Sequence, residues 1–557
     1  MNKVLKGLVA VAATAAMAIA GFAGASTAMA AGEGTITITG QEAGHAYNAY
    51  QVFAGDYADG VLSNVKWGKN VSTTVATNVL TALKADTNFG SDADNIFANC
   101  SDAACVAKAL SDANVSDDSV KAQAFAKTVG DLVDGSPSAS TETSEKTYTI
   151  TSLDAGYYIV KDAGDSNDAQ HHTVYSRYLA KVVPGANNNI ATKESKPELD
   201  KQIKHNEKSN NEAWGVVGDN QIGDTVEFRT ISTVPDTTGY TTYDYEIEDT
   251  MSAGLTSNVK ASTDNTGANT GVTIKVNDNV VLDTKYYSVT VDSTNPNKFT
   301  VKVNILDAIK DQKISSSSML YSYYTGILNN NALTYDAGKQ NNVAHLVYSN
   351  NPNNTTDKGK TPDKTVYDWT FKMNVKKVAE DQSTQLTGAK FVLSETADRA
   401  NADSDINSEG VPVNTDGLIK FIKGVDDTYT VAPADYADQT TYVIEAGNPV
   451  IKGLDDATDY YLYETKAPAQ YNRKVEATKF KIESGNYSEA GDTISGTKIT
   501  VGTAAASNDM TALIVNKKGS TLPSTGGMGT VLLYVAGAAV FVLAGATLVM
   551  ALRRRNA

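Results

Sequence analysis

Three polar residues in the last third of the chain fall where the buried face of a strand is expected. Successive strand residues point to opposite faces, so positions two apart share one face. By this parity Lys377, Glu464 and Asn516 each continue a stripe of apolar or aromatic residues two and four positions earlier. An unpaired charge is costly to bury. The trio therefore calls for a chemical explanation.

The chemistry that these residue types support is an isopeptide bond formed without an enzyme. Burial lowers the pKa of a lysine and raises that of a glutamic acid, so both can be neutral together. The neutral Lys377 amine can attack the side-chain carbonyl of Asn516, while Glu464 hydrogen-bonds that carbonyl, shuttles protons and lets ammonia leave. A lysine head group that reaches water, or a partly buried ion pair, explains the same parity and stays open at this point.

The elements that would position these residues are strands in three segments. Polar joints rich in Pro, Asn and Lys separate the segments at residues 191–201 and 349–364. The first segment mixes strands with helix-like stretches at 71–83 and 106–132, whereas the second and third alternate strand and turn throughout. We predict an all-β protein of tandem Ig-like β-sandwich domains, the first with inserted helices.

Composition excludes several classes of function. Between its two terminal segments, 1–30 and 527–557, the chain holds 43 basic and 64 acidic residues, a net charge of −21, which argues against nucleic-acid binding. Five His and two Cys leave little material for a zinc site. No GxSxG, P-loop or HExxH motif is present. We predict no enzymatic activity, no cofactor and no metal.

Two apparent metal motifs are discounted. The Asp-x-Ser-x-Ser stretch at 134–138 lies in a Ser/Thr-rich loop with a proline inside it and no surrounding α/β pattern. The His171-His172 pair is adjacent in sequence, and adjacent strand residues face opposite sides.

The first 30 residues are typical of a secretory signal peptide. Lys3 and Lys6 precede a long apolar run, and Ala-Met-Ala at 28–30 is a small-residue cleavage site. A transmembrane anchor is the alternative. In a secreted chain, Cys100 and Cys105 are expected to form a small local disulfide, with two free thiols as the alternative.

The other end of the chain has three parts in a fixed order. An LPxTG pentapeptide is followed by an apolar run at 531–552, long enough to span a bilayer, and by three arginines at 553–555. This order resembles a Gram-positive cell-wall sorting signal. The resemblance implies that a sortase thiolate attacks the Thr525 carbonyl and that an amine resolves the acyl-enzyme. The motif residues are Leu522, Pro523, Ser524, Thr525 and Gly526.

The third segment resembles a domain of Gram-positive pilins. Residues 461–471 read YLYETKAPAQY, similar to the pilin E-box YxLxETxAPxGY but with Gln470 where the family has glycine. Residues 371–378 and 515–518 resemble the opening and closing strands of a Cna-type B domain. The resemblance implies a Lys377–Asn516 bond with Glu464 as its acid.

The second segment is similar to the Cna-type A domain of the same pilins. The resemblance implies a bond between Lys201 in its first strand and Asn342 in its last. Asp249 shares a predicted face with aromatic and aliphatic residues and is the expected acid, and Lys204 is the rival lysine. The first segment resembles the N-terminal domain of backbone pilins; it has no E-box and no lysine in its opening strand, so no isopeptide bond is predicted there.

A covalent shaft also needs an amine to receive Thr525. In the family this is a lysine at the end of the N-terminal domain, often after Tyr-Pro. The Tyr-Pro pair is absent here, and Lys193 holds the equivalent place, with Lys196 next and Lys181 third.

The resemblance as a whole is to the major, or shaft, subunit of sortase-assembled fimbriae. It implies a secreted, wall-anchored homopolymer in which Thr525 joins Lys193 of the next subunit. The implied partners are other copies of the chain, a pilin sortase, a housekeeping sortase, peptidoglycan, accessory tip or basal pilins and a host receptor. A monomeric wall-anchored adhesin is the alternative. The expected domains are a signal peptide (1–30), an N-terminal domain (31–192), two isopeptide-bonded sandwiches (193–355 and 356–519) and the sorting signal (520–557).

Overall fold

The computed structural model describes most of the chain between the two terminal signals. The described residues are 34–39, 45–58, 61–113, 115, 120–144, 146–162, 177–182, 187–191, 196–205, 213–237, 240–351, 356–400, 405–519 and 528–555. Strands in several sheets dominate, and the helices are few and short outside the C-terminus. The predicted all-β class is confirmed.

In its described residues the first domain has two sheets and three helices. One sheet has the order β5-β6-β1-β9, and the other has the order β3-β2-β7-β8 with β4 paired to β2. The strands are β1 (Gly34–Thr39), β2 (Tyr47–Ala58), β3 (Val61–Trp67), β4 (Ser138–Ala139), β5 (Thr141–Ser144), β6 (Thr147–Leu153), β7 (Gly156–Asp162), β8 (Arg177–Val182) and β9 (Asn187–Ala191).

The helices of the first domain fall where apolar spacing predicts them. They are α1 (Thr73–Ala85), α2 (Ala103–Asp112) and α3 (Val120–Leu132), with 3-10 turns at Thr87–Phe89 and Asp92–Asp94. Ser72 caps α1 by accepting a hydrogen bond from the Val75 amide. The apolar faces of all three helices pack on the β3-β2-β7 side of the domain, around Phe53 and Phe125.

The second domain is a sandwich of two mainly antiparallel sheets. Its strands are β10 (Leu199–Lys204), β11 (Trp214–Gly215), β12 (Val217–Asp219), β13 (Thr225–Thr233), β14 (Tyr245–Met251), β15 (Leu255–Ser257), β16 (Thr273–Val276), β17 (Val280–Val281), β18 (Tyr287–Val291), β19 (Lys298–Val303), β20 (Met319–Leu328), β21 (Gln340–Ser349), β22 (Lys358–Lys360) and β23 (Lys364–Trp369). A 3-10 turn (Thr284–Tyr286) and α4 (Ile305–Lys310) complete it. The sheets run β11-β10-β13-β20-β16-β17 and β12-β23-β21-β14-β19-β18, with β15 paired to β20 and β22 to β21.

The third domain is a second sandwich. Its strands are β24 (Phe371–Ala379), β25 (Lys390–Ser394), β26 (Phe421–Lys423), β27 (Thr428–Val431), β28 (Ile444–Glu445), β29 (Val450–Leu454), β30 (Asp459–Lys466), β31 (Thr478–Glu483), β32 (Asn486–Tyr487), β33 (Ile494–Ser495), β34 (Lys498–Val501) and β35 (Thr511–Asn516), with α5 at Ala397–Ala400. The sheets run β26-β27-β29-β24-β35 and β28-β25-β30-β31-β34, and β32 and β33 form a hairpin.

The predicted boundary between the second and third domains is corrected. Residues from 356 onward were assigned to the third domain, but β22 and β23 both pair with β21 of the second sandwich. The polar stretch before Lys364 is therefore not a free linker: it turns the chain back along β21, and β23 buries Val366 and Asp368 in the second domain. The boundary lies near residue 370.

The second and third domains share a continuous apolar core, from Leu199 to Ile514. The Ile222 amide donates to the Gly453 carbonyl across the junction at 3.0 Å. Gly453 has φ +87, and a Cβ there would lie 2.5 Å from the Ile222 side chain. The left-handed conformation and the short distance to the Ile222 side chain both favour glycine at this position.

Candidate functional site

The first candidate site, the third-domain cluster, consists of Lys377, Glu464 and Asn516. Lys377 lies on β24 and Asn516 on β35, the first and last strands of the domain, which are parallel neighbours. Glu464 lies on β30 of the facing sheet. All three side chains are buried on the core face, as their parity predicts.

The third-domain cluster is closely hydrogen-bonded. Lys377 Nζ donates to Asn516 Oδ1 and lies 3.0 Å from Glu464 Oε1. Asn516 Nδ2 lies 2.9 Å from Glu464 Oε1 and 3.0 Å from Oε2. The Lys474 amide donates to Glu464 Oε2 at 2.6 Å, which fixes the carboxyl group. The nucleophile, the carbonyl that it would attack and the acid are therefore in contact.

This geometry differs in one respect from the predicted roles. The predicted role of Glu464 puts its carboxyl against the Asn516 carbonyl oxygen, whereas in the structure the carboxyl contacts the amide nitrogen. In this orientation Glu464 faces the group that would leave as ammonia. Burial lowers the pKa of Lys377, partly offset by Glu464, so the amine is more easily neutral than an exposed lysine.

The second candidate site, the second-domain cluster, consists of Lys201, Asp249 and Asn342. Lys201 Nζ and Asp249 Oδ2 are 2.5 Å apart, and both side chains are fully buried. Asp249 on β14 and Asn342 on β21 belong to paired strands, with Met251 directly opposite Asn342. Burial raises the pKa of Asp249, an effect that Lys201, Tyr324 and Asn342 partly offset, and burial lowers the pKa of Lys201.

The Asn342 carboxamide is buried without an ordinary hydrogen bond. In the described part of the chain neither its nitrogen nor its oxygen has a partner of normal geometry, although the side chain is 0% exposed. Buried amides are normally satisfied. Lys204, the rival lysine, points instead to the partly exposed Glu227 at 3.1 Å and lies outside the cluster.

The strand arrangement of the second-domain cluster differs from the prediction. The expected bond would join the first and last strands, but β22 and β23 follow β21 in the chain. Lys201 also lies in the sheet that faces Asp249 and Asn342. A bond here would cross between sheets, whereas in the third domain it would join neighbours within one sheet. Parity gives the face of each strand but not the sheet to which the strand belongs.

Tyr324 is a member of the second-domain site that the sequence argument missed. Its hydroxyl bonds both Lys201 Nζ and Asp249 Oδ2, and the side chain is fully buried. The alternation of β20 places Tyr324 on the core face with Leu320 and Ser322. A tyrosine on such a face looks in the sequence like any buried core residue. Only the contacts in the folded structure show that Tyr324 belongs to the site.

Some of the other predicted residues lie in the described part of the chain, and some lie outside it. Cys100 and Cys105 are disulfide-bonded at the start of α2. Lys196 precedes β10, and Lys181 lies on β8, where burial lowers its pKa. Outside the described residues lie the signal peptide (1–30), His171, His172, Lys193 and the pentapeptide Leu522, Pro523, Ser524, Thr525 and Gly526.

The discounted 134–138 stretch has structural contacts. Asp134 accepts a hydrogen bond from Ser72 at 3.2 Å, and Ser138 accepts one from Lys69 at 3.1 Å. These contacts tie the loop to the start of α1.

The C-terminus forms one long apolar helix, α6 (Met528–Arg555). Within its stretch Leu533–Arg555 an 18-residue window has a mean hydropathy of 2.3, and the stretch is long enough to cross a membrane. The predicted span at 531–552 lies within this helix, and the three arginines form its last turn. Cations there also complement the helix dipole.

Comparisons with known proteins identify two segments. Residues 371–494 match the SpaA model, described as a prealbumin-like fold domain. Residues 514–557 match the LPXTG cell wall anchor motif. A search of curated proteins found no significant match.

Solved structures of pilins show a general likeness. The T6 backbone pilin of Streptococcus pyogenes is 17% identical, with 87% of this chain and 98% of that chain covered and a TM-score of 0.42. The major pilin SpaD of Corynebacterium diphtheriae is 16% identical over 88% of this chain and 98% of that chain, with a TM-score of 0.39. The major pilin SpaA of the same species is 12% identical over 87% and 100%, also at 0.39. At TM-scores below 0.5 these likenesses carry no functional conclusion by themselves.

The two matched models fall on the segments that carry the E-box and the sorting signal, and they confirm the predicted resemblance there. The apolar helix after the motif fits transient retention in the membrane before sorting. The chain is therefore a cell-wall-anchored surface protein with a prealbumin-like SpaA domain, as its resemblance to Gram-positive pilins predicted.

Proposed function

We propose that the chain is the shaft subunit of a covalently polymerised pilus. A pilin sortase joins Thr525 of one copy to Lys193 of the next, and a housekeeping sortase attaches the finished polymer to peptidoglycan. The shaft supports adhesion and colonisation together with accessory tip or basal pilins and a host receptor. The observation that carries the proposal is the third-domain cluster. It joins the first strand of the last domain, where tension would enter the domain, to the last strand, where tension would leave it.

The proposed internal reaction balances without a cofactor. Lys377 Nζ attacks Asn516 Cγ, the Nζ–Cγ bond forms, and the Cγ–Nδ2 bond breaks. Glu464, in contact with both nitrogens, takes a proton from Nζ and returns one to Nδ2, which leaves as ammonia. Asp249 has the same role for Lys201 and Asn342. Preorganisation by the fold replaces an enzyme.

These two bonds would give tension a short covalent route. Force that enters near Lys193 passes from Lys201 to Asn342, runs along the chain to Lys377, and crosses to Asn516 before it reaches Thr525. Most strands of both sandwiches lie outside this route. A domain bypassed in this way cannot be extended by peeling its strands, which suits a shaft under load.

A polymerisation assay tests the proposal. The chain is expressed with a pilin sortase, and the products are boiled in SDS and separated. A ladder that disappears in Lys193→Ala but persists in Lys196→Ala supports the proposed acceptor. A single monomer band from the wild type would favour the alternative, a monomeric wall-anchored adhesin. A ladder that survives Lys193→Ala and disappears in Lys196→Ala would assign the acceptor role to Lys196.

A further inference from the structure

We propose that a calcium ion binds at the junction of the second and third domains, held by Asp219, Asp455 and Asp456. Asp219 ends β12 of the second domain. Asp455 and Asp456 follow β29 in the third domain. Each offers a carboxylate oxygen, and the three oxygens lie within 4.8 Å of one another. Ligands from both domains would meet at one ion.

Burial distinguishes this cluster from surface acids. Asp219 and Asp455 are each 1% exposed and Asp456 is 9% exposed. Water weakens the repulsion between ionised carboxylates on a surface. The repulsion is stronger between buried ones, because the protein interior has a lower dielectric constant. Ionised carboxylates this close together and this deep are costly unless a cation compensates them.

The Asp219 side chain gives independent evidence of a missing partner. Its Oδ1 is buried and has no hydrogen bond in the described part of the protein. Its Oδ2 accepts from the Tyr487 hydroxyl at 3.3 Å and lies 3.6 Å from His205 Nδ1.

The chemistry of the donors selects the ion. All three ligands are hard oxygen donors, which suit calcium or magnesium rather than zinc or copper. Calcium accepts irregular shells that water completes, whereas magnesium demands near-octahedral geometry. A surface pocket lined by Asp456, Ser484, Asn486 and Lys498 exposes one member of the cluster, Asp456, to solvent.

An ion at this place would act as a clamp between the domains. Beside the cluster, the Trp369 indole donates to the Gly491 carbonyl at 3.2 Å, and Gln221 bonds Tyr460 at 2.9 Å. Calcium would add bonds to carboxylates on both sides and resist hinging between the two sandwiches. This inference does not depend on polymerisation or on either isopeptide bond.

Calorimetric titration of the purified full chain with calcium chloride, after removal of metals by EDTA, tests the proposal. We expect one ion per chain and an unfolding midpoint that rises with calcium concentration. Asp456→Asn should weaken calcium binding by at least roughly tenfold. Asp459→Asn is the matched control, because Asp459 lies three positions away and pairs with Lys479 at 2.6 Å on the surface.

Two results would overturn the inference. One is a wild-type chain that shows neither binding heat nor a calcium-dependent midpoint, which would mean that the carboxyl groups share protons instead. The other is calcium binding that is equally strong in Asp456→Asn and the wild type, which would place the ion elsewhere. The wild-type titration decides between binding and no binding even if the variant folds poorly.

Discussion

Lys377 and Asn516 occupy neighbouring parallel strands one side-chain pair out of register. Lys377 lies opposite Ile514, and Asn516 lies opposite Ala379. The lysine therefore reaches forward along the ladder to contact the Asn516 carbonyl, and Glu464 meets both from the facing sheet. This stagger leaves room for a side chain as long as lysine between two strands that are hydrogen-bonded to each other.

Removal of the third-domain nucleophile should abolish one cross-link. We expect Lys377→Met to retain one ammonia that the wild type loses and to be less stable by roughly 5 kcal/mol, the chain-entropy estimate for a cross-link between residues this far apart. The two residues are 139 positions apart. Intact-mass measurement and urea unfolding check both effects.

Lys376→Met is the matched control for that variant. Lys376 neighbours Lys377 on the same strand but is exposed. The assignment of the nucleophile would be contradicted if Lys377→Met still lost the ammonia that the wild type loses. It would also be contradicted if Lys376→Met retained that ammonia.

Tyr324 should speed formation of the second-domain bond. Its hydroxyl holds Lys201 and Asp249 together, so Tyr324→Phe should slow ammonia loss from that domain by roughly tenfold or more. The rate at which the third-domain bond forms in the same molecule serves as the internal reference. Time-resolved peptide mass spectrometry of newly synthesised chain, as it folds for the first time, gives both rates.

Tyr323→Phe controls for the loss of a hydroxyl on the same strand, because Tyr323 is half-buried on the opposite face and bonds Asp278. Equal rates for the second-domain bond in Tyr324→Phe and the wild type would show that the hydroxyl only fills space.

Blocking the third-domain bond should make stability depend on pH. In Asn516→Ala the Lys377 amine stays free, and burial lowers its pKa in the folded state. Between that lowered pKa and the ordinary lysine value near 10.4, the unfolded chain binds a proton that the folded chain does not. Stability should therefore rise with pH in this window and fall as pH falls.

Urea midpoints from about pH 8 to about pH 10 measure this dependence. The double variant Lys377→Met/Asn516→Ala lacks the titrating amine and should show a flatter profile. The same slope in both variants would assign the dependence to another group.

Gln470 should tolerate glycine but not a β-branched residue. It adopts φ +72 where the related E-boxes have glycine, and its carbonyl accepts a hydrogen bond from the Gly519 amide at 2.9 Å. A left-handed conformation costs roughly 1–2 kcal/mol for residues other than glycine. Gln470→Gly should preserve stability, whereas Gln470→Ile should lower it by about 1 kcal/mol or more.

Thermal unfolding of the two variants beside the wild type checks this expectation. A Gln470→Ile variant as stable as Gln470→Gly would contradict the idea that backbone conformation sets the preference.

Side-chain parity predicted the faces of the site residues but not the sheets that carry them. Lys377, Glu464 and Asn516 were placed correctly in the core because each strand is regular over the relevant residues. The facing arrangement of Lys201 and Asn342 depends on pairing between strands far apart in sequence, which alternation does not encode. The return of β23 to the second domain depends on the same kind of long-range pairing.

Other features could not be predicted because nothing in the sequence around them differs from a usual core residue or turn. Tyr324 looks like any core aromatic residue, and Asp219, Asp455 and Asp456 look like acids in turns. Only the contacts between separate elements give these residues a chemical role. The helices of the first domain, in contrast, carry a local periodic signal and were predicted well.

The most direct test of the account is mass spectrometry of polymer released from the cell wall and boiled in SDS. We predict a ladder of high mass, a peptide in which Thr525 is joined to Lys193, and two ammonia molecules lost per subunit through Lys377–Asn516 and Lys201–Asn342. A single monomeric species with an unmodified Lys193 and no ammonia loss would contradict it.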